Sequence, residues 1–200
     1  MLILILLPLA GALGGWAGLY LGGGEAAEGT EKLEATANFL SLTGITFLIL
    51  QVATGSLNRW FKEAFGAAAL LNYHRRAGVI IILAFLTHGF IHTLGHSLES
   101  GRPLLAVVLH SWTVWQLVLG ESAVILLLVG GTAAFLGWIK KLPRSTWKPV
   151  HYLMYLAVPL GLTHAITITH DTRELPLVAV WIYLVAAFFI LAWQRRQRAS

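Results

Sequence analysis

The chain has 200 residues, of which 57% are hydrophobic and 12% charged, with a mean hydropathy of +0.73 and a formal net charge of +5. A soluble domain has about a quarter of its residues charged and could not bury this much apolar surface. The composition therefore predicts one all-α, polytopic membrane domain over residues 1–200, and the lack of cysteine excludes disulfides and thiolate metal sites.

Six apolar segments follow in chain order: Leu2–Leu21, Phe39–Thr54, Ala77–Leu94, Trp115–Trp138, Val150–Thr169 and Leu175–Trp193. Each is near the ~20 residues that cross ~30 Å of hydrocarbon, the second being short. Leu2–Leu21 and the residue after it have small residues at Gly11, Gly15 and at Gly14, Gly18, Gly22, a spacing that permits close helix packing. The same stretch has the length of a signal peptide but lacks its basic start. A further run, Leu104–Leu109, is too short to span and is expected to lie in the interface or re-enter.

Basic residues set the expected orientation. Eleven of the 14 Lys and Arg fall on one side: Arg59, Lys62, Arg75 and Arg76 between segments two and three, Lys140, Lys141, Arg144 and Lys148 between four and five, and Arg195, Arg196 and Arg198 in the tail. With six spans, both termini are cytoplasmic, and the acidic stretch "GGGEAAEGTEKLE" faces outward. Trp60, Trp138, Trp147 and Trp193 fall near cytoplasmic helix ends, as an aromatic belt requires. The basic rim is mainly topogenic; docking of an acidic donor protein or anionic lipid is the alternative. No nucleotide-binding fingerprint is present, and no nucleic-acid partner is expected.

The chemistry lies in the histidines, which are costly in hydrocarbon. In the third segment His74 and His88 are 14 apart, about 21 Å of helical rise and only ~40° out of phase. In the fifth, "HYLMYLAVPLGLTH" carries His151 and His164, 13 apart. The charge pattern makes these segments parallel, so His74 lies level with His151 and His88 with His164. A planar metal-centred group between two imidazoles fits that geometry, with two b haems as the natural candidates. Zinc would need further ligands close by. Thirteen residues of ideal helix leave His151 and His164 about 140° out of phase. The fifth segment is therefore expected to be distorted or overwound, with Pro159 and Gly161 as the cause. The competing reading for any single histidine is a buried hydrogen-bonding residue.

The run "HRRAGVIIILAFLTHGFIH" together with "HYLMYLAVPLGLTH" resembles the transmembrane domain of the ferric reductases and NADPH oxidases. The shared features are H-x13-H with a glycine four residues after the first histidine, another histidine four after the second, and H-x12-H. The resemblance implies a six-helix bundle with two b haems stacked between the third and fifth helices. It implies His74 with His151 for the inner haem and His88 with His164 for the outer. It also implies electron flow from a cytoplasmic donor to an outer acceptor, with His92 beside the outer haem as an acceptor-site candidate. Packing or a propionate hydrogen bond is the alternative role for His92. Arg75, Arg76 and Lys148 flank the inner ligands and either pair with haem propionates or serve only topology.

The family's larger members continue into a flavin- and NADPH-binding portion, whereas this sequence ends "WQRRQRAS" soon after the sixth segment. It resembles the short, stand-alone bacterial members. One group of those tends to carry a basic residue where His74 stands, and a histidine there implies the full two-haem set. The expected function is a di-haem electron-transfer subunit, an oxidoreductase component without its own flavin domain. Its expected partners are membrane lipid, a separate flavoprotein or other donor, and a periplasmic acceptor protein or larger membrane complex. An accessory haem subunit of a larger complex and a quinol-linked cytochrome of the b561 type are the alternatives. Glu121 is the one acidic residue expected at membrane depth, near the outer interface, while His110 and His170 fall in outer loops. Without a row of buried carboxylates the chain does not read as a transporter.

Overall fold

The computed structural model describes residues 29–55 and 59–168, together with Ala10, Gly14 and Ala17. The predicted first segment, Leu2–Leu21, with its glycine spacings, and the predicted sixth, Leu175–Trp193, lie outside the described residues, as do His170 and the basic tail.

Among the described residues every regular element is helical: α1 (Thr30–Gly55), α2 (Arg59–Phe65), α3 (Ala67–Ser100), α4 (Leu104–Ser111), α5 (Trp115–Trp138), α6 (Arg144–Tyr152) and α7 (Met154–Ile168). Among these residues, α3 and α5 are long and apolar enough to cross a membrane. α3 extends well beyond the predicted Ala77–Leu94, so Arg75 and Arg76 sit inside a helix and not in a loop. The ten residues before Ala77 include Leu70 and Tyr73, both buried. Their packing extends the helix past the point where hydropathy fades. Gly101 closes α3 in the left-handed conformation (φ 64°), which glycine adopts without a Cβ penalty. The predicted short run becomes α4, which has no buried residue.

The helices associate as two antiparallel pairs. α1 packs along α3: Gln51 Nε2 donates to the His74 carbonyl, while His88 Nδ1 bonds the Ala37 carbonyl 14 residues further along both helices. α5 packs along α6 and α7, with Gln116 near His164 at one end and Gly137 against Trp147 at the other. The α3 and α5 backbones also run antiparallel, with Ile82 against Gly131 and Arg75 over Trp138. α3 and the α6–α7 pair are therefore parallel, as the charge pattern predicts.

The pairs meet in an apolar layer at mid-length. Ile45, Phe47 and Leu48 of α1, Tyr73, Ala77 and Ile81 of α3, Ala123 and Leu127 of α5, and Ala157, Val158 and Leu162 of α7 form one buried cluster. The opposite face of α3 is exposed and apolar, with Val79 at 58% and Leu83 at 57% exposure. A face of this kind is stable against lipid, not water.

α5 approaches α6 and α7 through small residues. At Gly130 a side-chain carbon would overlap Met154 Cγ and sit 3.4 Å from the His151 carbonyl. At Gly131 it would meet only the tip of Ile82, at 2.6 Å, which can rotate away. Alanine favours a helix by up to ~1 kcal/mol over glycine, while overpacking costs about 1–3 kcal/mol. Gly130→Ala should therefore lower the thermal midpoint of the protein in detergent, and Gly131→Ala should leave it unchanged or raise it.

The segment read as Val150–Thr169 is two helices. The break lies at Leu153, between α6 and α7, where Leu153 N bonds Val150 O (3.1 Å) and Leu156 N bonds Leu153 O (3.0 Å). Both are three-residue bonds of the tighter 3₁₀ kind. Overwinding is thus present, but its place is corrected from Pro159 and Gly161 to Leu153. Pro159 sits within α7. Pro149 sits within α6.

Candidate functional site

The four predicted ligands gather at two levels of the bundle. At the end carrying Arg75 and Lys140, the His74 and His151 rings have centroids 6.0 Å apart and planes 74° apart. Two imidazoles bonded at ~2.0 Å to opposite sides of one metal have centroids about 6 Å apart, so this pair already has the separation of an axial pair. Trp147 stands edge-on to His151 at 6.1 Å. At the other end, His88 and His164 both line a cavity of about 840 Å³, together with His92, His96, His110 and Glu121. That volume lies in the usual range for sites holding large organic ligands, ~300–1,000 Å³. Among the described residues no three His or carboxylate side chains converge as a metal cage would require.

Backbone carbonyls orient three of the four rings. His88 Nδ1 bonds Ala37 O at 2.8 Å, His164 Nδ1 bonds Gln116 O at 2.8 Å, and His151 Nδ1 bonds Gly130 O at 3.2 Å. A carbonyl accepts only from a protonated nitrogen. The proton is held on Nδ1 and the Nε2 lone pair is left free, the arrangement that metal-binding histidines use. His74 Nδ1 is buried without a partner among the described residues. Its main chain is instead fixed by Gln51.

Glycine makes the second contact possible. A Cβ at Gly120 would lie 2.8 Å from His164 Cε1 and Nδ1. The imidazole therefore rests on bare α5 backbone, one turn from the Gln116 carbonyl that it reaches.

A family model for the ferric reductase-like transmembrane component matches residues 40–162, well over half of the chain. The chain belongs to the ferric reductase-like transmembrane family. The match includes His74, His88 and His151 and ends two residues before His164. Among curated proteins, the haem-binding subunit MsrQ of the protein-methionine-sulfoxide reductase of Caulobacter vibrioides is 29% identical over 84 residues. That alignment covers 42% of this chain and 40% of the relative, so the chain spans less than half of that protein's length. No solved structure matches the chain.

As a member of this family the protein is a membrane protein, and the site residues can be placed one by one. His92 stands beside His88, centroids 5.0 Å apart, and faces the same cavity. His96 turns outward to Glu99, 3.6 Å away. Arg75 is exposed and lies 5.1 Å over the Trp138 ring, while Arg76 is exposed on the next position. Lys148 lies 5.7 Å over Tyr152. His110 is exposed yet reaches the cavity rim. Glu121 accepts a hydrogen bond from Ser111 of α4, tying that short helix to the start of α5. Its second oxygen is buried.

The accepting carbonyls of Ala37, Gln116 and Gly130 left no trace in the sequence, because any residue supplies a carbonyl. The glycines did leave one: Gly120, Gly130, Gly131 and Gly137 lie in a single apolar span, and each lies against a side chain of a neighbouring helix.

Proposed function

We propose that the protein is a transmembrane electron-transfer subunit that binds two b haems, one between His74 and His151 and one between His88 and His164. The observation that carries this reading is the pair of histidine levels, with Nε2 left free on the three rings, His88, His151 and His164, whose Nδ1 is bonded to main chain. Haem b would supply a reversible one-electron centre at each level. The relative named as a haem-binding subunit supports the same cofactor.

What the chain contributes is position and insulation. α3 and the parallel α6–α7 pair hold the imidazoles at two depths. The Ile81, Leu127 and Val158 layer keeps water from the space between them. Arg75, Arg76 and Lys148 lie at the His74 level and would supply the cations for propionates of the inner group. By the basic-residue rule that level is cytoplasmic, both termini are cytoplasmic and the His92 end faces out, in a bacterial inner membrane. The donor is a separate flavoprotein or another membrane electron source, and the acceptor is a periplasmic protein or small oxidant near His92.

The test is a pyridine haemochrome assay on the purified chain. The expected result is about two b haems per chain, and a value near zero would overturn the reading. A value near one would show that only one histidine level is used.

A further inference from the structure

We infer that Gly120 is the positioning residue for the His164 imidazole, which would hold the outer haem, acting jointly with the Gln116 carbonyl one turn before it; the inference rests on the haem reading above. His164 is held from two directions. Its Nδ1 bonds Gln116 O at 2.8 Å, and the flat of the ring lies where a Cβ of residue 120 would be, 2.8 Å from Nδ1 and Cε1 and 2.9 Å from Cγ. Contacts that short do not occur between a real Cβ and a ring, so any side chain at 120 forces a movement.

The ring has no cheap way to give. His164 lines the cavity, into which Nε2 would have to point to meet a metal. Rotating away from α5 swings Nε2 off that direction and breaks the Gln116 bond. Translating α7 is opposed by Ala157, Val158 and Leu162, which are packed in the core. The remaining movement is a tilted imidazole with its Nδ1 proton unsatisfied. The inner pair has no such dependence: His151 bonds the Gly130 carbonyl, and Gly120 lies ten residues away, about 15 Å along α5. A residue at 120 that contacts no metal thereby decides whether one particular ligand can form.

The experiment is Gly120→Ala in the full chain, with Gly131→Ala as the control, since its Cβ meets only the movable tip of Ile82. Haem content, the low-spin ferric resonances and the redox titration are read on each purified protein. The control should match the wild type. Gly120→Ala should lose the outer haem, or keep it with a shifted low-spin signal and an altered potential, while the inner haem keeps the wild-type signal and potential. The retained inner haem reports that the bundle has folded. Two unchanged haems would overturn the proposal. Loss of both would overturn it as well, because Gly120 would then serve the bundle as a whole. If the wild-type chain itself bound no haem, the functional reading would fail before this one was reached.

Discussion

Substituting any one of the four paired histidines should remove half of the bound haem, and which half should depend on depth alone. His74→Ala and His151→Ala should give proteins with matching spectra, each retaining the outer haem. His88→Ala and His164→Ala should give a second matching set that retains the inner one. The reason is the parallel course of α3 and α6–α7, with His74 and His151 rings 6.0 Å apart at one level and His88 and His164 on a common cavity at the other. An antiparallel arrangement would couple His74 to His164. Each substitution would remove one of the two imidazoles that would hold the group and leave a cavity where the ring stood, so that the group would be held from one side alone. Low-temperature absorption and electron paramagnetic resonance on the four purified variants are the measurements. Matching spectra for His74→Ala and His164→Ala would show that the pairing is wrong.

His92→Ala should act differently, slowing electron exit without loss of haem. His92 stands one helical turn, about 6 Å, beyond His88 on the side away from His74. Its ring is edge-on to that of His88 at 5.0 Å and lines the same cavity. On the proposed reading it would hydrogen-bond an acceptor arriving from the His96 and His110 end. Reduction by dithionite or a cytoplasmic-side donor should proceed as in the wild type. Re-oxidation by oxygen or a ferric chelate should slow about tenfold, the equivalent of losing ~1.4 kcal/mol from the transition state, which is the scale of one hydrogen bond to a charged group. Stopped-flow re-oxidation of the pre-reduced variant measures this. An unchanged rate would assign His92 to packing, and loss of the outer haem would mean that His92 is itself the ligand.

The two expectations have different origins. The pairing of depths was legible in one dimension: a 14-residue interval on one apolar span, a 13-residue interval on another, and basic residues that fix both spans in the same direction. Hydropathy and charge act on segments as wholes, so they report class, direction and depth without any knowledge of neighbours. The family resemblance rested on the same intervals, and the match over residues 40–162 agrees with it.

Azimuth is different, because it depends on how a helix is wound and on what it packs against. Ideal geometry left His151 and His164 about 140° apart, and proline offered an obvious but misplaced culprit. The three-residue hydrogen bonds at Leu153 place the break between α6 and α7 instead, where the chain leaves the Arg144–Tyr152 turns and enters the apolar Met154–Ile168 helix. The same holds for the ring orientations. Nothing in the identity of Ala37, Gln116 or Gly130 marks them as partners of His88, His164 and His151, since the bonding atom is a carbonyl that every residue has. Hydropathy and residue intervals are enough to read an apolar helical membrane chain with four histidines at two levels. Which nitrogen His88, His151 and His164 leave free depends on packing, because a backbone carbonyl on another helix holds each Nδ1 proton, and at His164 the bare backbone of Gly120 lets the ring come close enough to reach it.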